Sequence, residues 1–215
     1  MPRGPFKPQS PFSTGNVPGL VGRPSDPYAA YKFYATFTGT GGTALASYTP
    51  EKGAAGTQVS GTWQLTSNKV VMTDNTDGRL FVYDATGTDA GTLSVTITSD
   101  AWGMRFPGIV FRYSDNLTHW LVHLQGTVLI LFQCTGGSYT SRGTSGTIAP
   151  VDGTGYQVDI VLSGTSISAS IASLGGGSAS FSSAANQSAT MFGFRYGAAS
   201  PNPSNATFWD TATFI

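Results

Sequence analysis

From Tyr31 to the C-terminus, apolar positions alternate with polar ones or gather in short blocks, and clusters of Gly, Asn, Asp and Ser separate them. β-Branched and aromatic residues dominate the blocks, and the i, i+3, i+4 spacing of an amphipathic helix is nearly absent. The pattern predicts strands over 31–38, 60–65, 69–73, 80–83, 92–99, 108–113, 119–125, 128–134, 156–163, 166–173, 190–196 and 206–215. Turns fall between them at Asp77-Gly78, Gly126-Thr127 and Gly164-Thr165. The last of these joins two alternating runs directly, a two-residue hairpin that needs φ above zero at the glycine. A dozen strands in one domain require two packed sheets, so the expected fold is an all-β, antiparallel two-sheet sandwich.

Residues 1–30 do not share this pattern. They hold seven of the twelve prolines (Pro2, Pro5, Pro8, Pro11, Pro18, Pro24 and Pro27) and apolar residues with no period. Each proline fixes φ and removes a backbone donor, which excludes helix interiors and central strands and leaves extended or polyproline II backbone as the expectation. Thirty such residues span roughly 90 Å when fully stretched. The segment also carries Phe6, Phe12, Val17, Leu20, Val21 and Tyr28, an unusual density of apolar anchors for a solvated linker. The expected organisation is an extended proline-rich N-terminal arm (1–30) and a β-sandwich body (31–215), with Phe6, Phe12, Leu20 and Tyr28 as candidate partner contacts.

Composition narrows the function. Charged residues make up 10 % of the chain and formal charge balances, so no basic footprint for nucleic acid exists. Three basic residues and one acidic residue lie in the arm, which leaves eight basic against ten acidic in the body. Thirteen Phe, nine Tyr and four Trp supply a core despite 28 glycines. Cys134 stands alone, so neither an intrachain disulfide nor a cysteine metal site is expected. Neither a secretory signal nor a membrane span is expected from the opening residues or from any apolar run. The three Asn-X-Ser/Thr sequons at Asn116, Asn186 and Asn205 are read as chance matches in a Ser/Thr-rich chain.

Gly108-Ile109-Val110-Phe111-Arg112-Tyr113, a turn at Ser114-Asp115-Asn116, His119-Trp120-Leu121-Val122-His123-Leu124 and the hairpin into 128–132 follow one another in a characteristic order. Earlier come Gly61-Thr62-Trp63-Gln64-Leu65 and Asn68-Lys69-Val70-Val71; later come the 156–171 hairpin and a closing Phe208-Trp209-Asp210. In that order the chain resembles the concanavalin A-like (laminin G-like) jelly-roll domains, over about residues 33–215, and is most similar to those on tailed-phage virion proteins. The resemblance implies a jelly roll, a virion location, other capsid or tail proteins as partners, and host-surface glycans as ligands. A homo-oligomer such as a trimer fits the same resemblance.

Catalytic patterns are missing from the sequence. Glycosidases of this fold class present strand carboxylates in pairs, whereas the single glutamate, Glu51, lies in a loop and most aspartates sit in turn contexts. Asp159 is in a strand without a second carboxylate in its alternation. His119 and His123 share a strand face but stand roughly 13 Å apart, too far to chelate one ion. Asp74-Asn75-Thr76-Asp77-Gly78 lacks the glutamate that closes a calcium loop, Ala85 standing in its place. No nucleophile elbow is present. The expectation is a non-enzymatic protein without metal or cofactor.

Alternation places His119, Leu121, His123 and Gln125 on one face and Trp120, Val122 and Leu124 on the other. It likewise sets Val110 and Arg112 against Ile109, Phe111 and Tyr113, and Arg195 against Phe194 and Tyr196. A sheet face bearing Arg112, His119, His123, Gln125 and Arg195 suits sugar hydroxyls, and is otherwise a solvated sheet face. Trp102 is either a stacking residue at the surface or a loop anchor in the core. Two readings follow: a phage virion protein, such as a minor tail or capsid decoration protein, attached through its arm, or a free carbohydrate-binding module with no assembly role.

Overall fold

The computed structural model describes residues 26–197 and 207–215, apart from positions 75, 86 and 88. Its strands are β1 (Phe33–Ala35), β2 (Thr57–Gln58), β3 (Trp63–Thr66), β4 (Lys69–Met72), β5 (Arg79–Asp84), β6 (Gly91–Ser99), β7 (Gly108–Asp115) and β8 (Thr118–Gln125). These are followed by β9 (Val128–Thr135), β10 (Ser138–Thr144), β11 (Gly155–Ser163), β12 (Ser166–Ser170), β13 (Ser178–Ser182), β14 (Met191–Tyr196) and β15 (Thr207–Phe214). One sheet runs β13-β12-β11-β6-β15-β4-β3, with β1 also on β15; the other runs β10-β9-β8-β7-β14-β5-β2, and every pairing is antiparallel. The architecture is the expected two-sheet jelly-roll sandwich.

Three strands escaped the pattern: β2, β10 and β13. Each is an edge strand of its sheet, and their positions are mostly exposed, so the hydrophobic alternation that marks a strand is weak in them. The β10 and β13 edges meet on one flank of the sandwich. A Cβ at Gly143 would stand 3.0 Å from the Ser180 carbonyl oxygen, and the β9–β10 register shifts between Ser141 and Gly143. The missing side chain is what lets the two edges close. The predicted hairpin at Gly164-Thr165 is present, with Ser163 paired to Ser166 and Gly164 at φ 55°.

Between the sheets lies an aromatic core. Trp63, Trp120 and Trp209 are essentially inaccessible to solvent, and Trp209 packs on Trp63 and Phe194 at ring distances of 5.2 and 5.6 Å. Each indole N–H finds a backbone carbonyl: Trp63 bonds Ser60, Trp120 bonds Ala185, and Trp209 bonds Gly108. Trp102 resolves as a core anchor, buried against Tyr156 and bonded to the Val151 carbonyl at 3.0 Å.

Glu51 and Asp159 have structural partners. The Glu51 carboxylate accepts from Thr36 Oγ1, from Tyr48 Oη at 2.8 Å and from the Thr36 amide at 3.1 Å, tying the loop after β1 to its neighbour. Asp159 accepts from Ser94 at 2.6 Å and Gln157 at 2.8 Å in the β6–β11 pair, in the sheet that does not carry the cleft described below.

Candidate functional site

The face of the β10–β2 sheet turned away from the core is not a uniformly solvated surface. Leu80, Val82, Val110, Tyr113 and Leu121 form a second, smaller apolar cluster there, with Val59, Phe132 and Met191 against it. A hollow lies at each end of this cluster. One is an open, mainly apolar depression of about 670 Å³ walled by Val59, Val82, Tyr113, Leu117 and Met191. The other is a tighter cleft of about 240 Å³, lined by Leu121, His123 and Gln125 of β8, Phe132 of β9, Tyr139 of β10 and Arg195 of β14, with Phe106 and Asp77 from loops.

Arg195 organises the cleft. Its Nη1 donates to His123 Nε2 at 2.9 Å, its Nη2 lies 3.5 Å from Asp77 Oδ1, and its guanidinium covers the Tyr139 ring at 5.2 Å. Because an arginine can only donate, His123 Nε2 must carry a lone pair and the proton resides on Nδ1. Burial, reinforced by the Arg195 charge, holds His123 well below the ordinary imidazole pKa, so the ring stays neutral. Aromatic edges complete the wall: His123 meets Phe132 at 5.6 Å and Phe132 meets Tyr139 at 6.2 Å, both edge-on.

His119 supports the site from behind. Its Nδ1 lies 3.1 Å from the Asp115 carbonyl and its Nε2 lies 2.9 Å from Tyr139 Oη. A carbonyl accepts only, so Nδ1 bears the proton and Tyr139 donates to Nε2. Burial again keeps the imidazole below its ordinary pKa. The ring lies against Tyr113 and Tyr139 and is fully buried, which makes His119 a positioning residue for Tyr139.

The structure therefore brings together His123, Gln125 and Arg195, sets His119 one layer behind them, and removes Arg112. The register between β7 and β8 shifts between Phe111 and Asp115, and Arg112 adopts φ 45° within that bulge. The extra residue breaks the alternation. Tyr113 joins Val110 on the cleft-bearing face, against expectation, and Arg112 is buried with its guanidinium on the carbonyls of Gly164 and Ser183. It is a cross-link to the opposite sheet's hairpin and not part of a ligand-facing surface.

Four cleft residues were missed. Phe132 was recoverable, because the Gly126-Thr127 hairpin places it opposite Leu121. Tyr139 lies on an edge strand without a pattern, Phe106 lies in a loop, and Asp77 reads as an ordinary turn residue. Nothing local marks these three. Of the arm contacts, Phe6, Phe12 and Leu20 lie outside the described residues. Tyr28 stacks on Tyr34 at 4.8 Å, and its neighbour Asp26 pairs with Lys52 at 2.9 Å. Among the described residues, no group of three or more His, Cys, Asp or Glu side chains is placed to hold a metal ion.

No protein-family model matches the sequence, and no curated protein matches it. Solved structures do share its architecture. Carbohydrate-binding module CBM66 from Bacillus subtilis superposes with a TM-score of 0.52 at 17 % identity, over 74 % of this chain and 91 % of that one. The CBM2 module of the evolved Dit protein of Lactobacillus casei BL23 phage J-1 superposes with a TM-score of 0.52 at 12 % identity, over 86 % of this chain and 94 % of that one. The shared fold is the two-sheet jelly roll. Both of these structures are carbohydrate-binding modules, one of them on a phage protein, and at these identities the likeness extends to architecture alone.

Proposed function

We propose that the protein is a non-enzymatic phage virion component, a minor tail or capsid decoration protein, that displays a glycan-binding jelly roll and is held on the particle through its proline-rich N-terminal segment. The observation that carries the glycan part is the cleft: planar donors on Arg195, an acceptor on Asp77 and an amide on Gln125 converge above aromatic walls. Sugars present that combination, with hydroxyls around the ring edge and apolar C–H faces. The fold shared with two carbohydrate-binding modules supports it. The virion part rests on the arm's composition and on the architecture shared with a phage Dit module.

The cleft is tested by a glycan array on the full chain and on Arg195→Ala. Specific hits that weaken at least tenfold in the variant support the reading, and an array without specific hits rejects it. Assembly is tested by deleting residues 1–25 and measuring incorporation into particles, where unchanged incorporation rejects attachment through the arm. A free carbohydrate-binding module, the second reading, is favoured by the architecture shared with CBM66, and predicts glycan binding without incorporation.

A further inference from the structure

We infer that the cleft selects neutral sugars, and that Asp77 is the residue that rejects acidic ones; the inference rests on the glycan-binding reading above. Asp77 is held in place by a built turn. Gly78 at φ 78° donates its amide to the Tyr196 carbonyl at 2.9 Å, which pins the turn to β14. Asp74 Oδ1 accepts from the Thr76 amide at 3.0 Å, and Asp74 pairs with Arg79 at 3.4 Å. The Asp77 carboxylate is thereby carried to the mouth of the cleft, beside the Arg195 guanidinium.

The two charges are unequal in access. The Asp77 side chain is 60 % exposed, whereas that of Arg195 is 10 % exposed. Arg195 is already engaged on three sides, by His123, by Asp77 and by the Tyr139 ring. With His123 neutral, the formal charges of the lining residues cancel. A ligand entering the cleft meets the carboxylate first. A sugar hydroxyl can donate to Asp77 and accept from Arg195, which suits neighbouring hydroxyls on a neutral ring. A uronic acid, sulfate or phosphate group meets like charge, and reaches Arg195 only by displacing Asp77. Like-charge contact at a partly desolvated interface is costly and is a common source of specificity.

The test uses the full chain on an array of matched neutral and acidic conjugates: glucose with glucuronic acid, galactose with galacturonic acid, and mannose with mannose 6-phosphate, each also displayed at the end of oligosaccharides. The neutral member of a bound pair is expected to bind about tenfold or more tightly, corresponding to about 1.4 kcal/mol. Asp77→Asn and Asp77→Ser, both compatible with the turn, should bring the acidic member within about threefold of the neutral one. Wild-type protein that binds the acidic member as tightly overturns the inference while leaving the glycan reading in place, as does discrimination that survives both substitutions. An array without any specific binding overturns the glycan reading and this inference with it.

Discussion

Tyr83 places a hydroxyl inside a nest of rings. Phe33, Phe37, Phe81, Phe192 and Phe194 surround it at ring distances of 4.9 to 6.4 Å, and its Oη has no hydrogen-bond partner among the described residues. Burial, with a smaller contribution from the Tyr48 charge, drives its pKa well above the ordinary phenol. An unpaired buried polar group is a net cost, so Tyr83→Phe should raise stability by about 1 kcal/mol in urea unfolding; a loss of stability would show that the hydroxyl is satisfied. The two histidines act in the opposite sense. Both are buried and neutral in the folded protein, with pKa values below the ordinary 6.5, so only the unfolded chain takes up their protons in the interval below that value. Their contribution to stability is full above pH 6.5 and declines as pH falls toward the folded values. His123→Gln, which keeps an acceptor for Arg195, should flatten this decline in a series of melting temperatures taken across that range.

Among the elements, β7 departs furthest from its pattern. Its bulge leaves Arg112 at a left-handed φ and turns its guanidinium onto the Gly164 and Ser183 carbonyls, while Asn186 Nδ2 donates back to the Arg112 carbonyl at 3.3 Å. One strand of the cleft sheet is thus fastened to the β11–β12 hairpin of the other sheet. Arg112→Ala strips both carbonyls of a charged donor and should cost about 2–3 kcal/mol. Arg112→Gly loses the same bonds but relieves the positive φ, and should be the milder variant by about 1 kcal/mol. Equal losses in thermal or urea unfolding would assign the whole effect to the hydrogen bonds. The bulge also explains why strict alternation misassigned Tyr113, since one inserted residue transfers every later side chain to the other face.

For the molecule as a whole, contact with the body begins before the end of the proline-rich segment. Asp26 and Tyr28 fall within residues 1–30 by composition, yet one pairs with Lys52 and the other stacks on Tyr34. A chain starting at residue 26 should therefore be more stable than one starting at residue 31. The difference should be small, because the ion pair is exposed to solvent and screened and a single aromatic contact adds modestly. Melting curves of the two truncations check this, and identical curves would show that these contacts contribute nothing to the fold.

The sequence by itself determined the class of fold, the central strands and the core face of most of them. Burying aromatic and β-branched residues between two sheets imposes a period of two, and that period is local. It also brought His123, Gln125 and Arg195 forward as polar residues facing away from the core. Only the tertiary structure decided which residues meet. Edge strands β10 and β13 need no apolar alternation and left no trace in the pattern. The bulge at Arg112 has no local signal, and it took that residue out of the site. Asp77 and Tyr139 are 62 positions apart in sequence and converge on Arg195 only because β10 and β14 belong to one curved sheet and a turn is pinned to β14. Period is a property of neighbours along the chain, whereas a binding cleft is a property of neighbours across it.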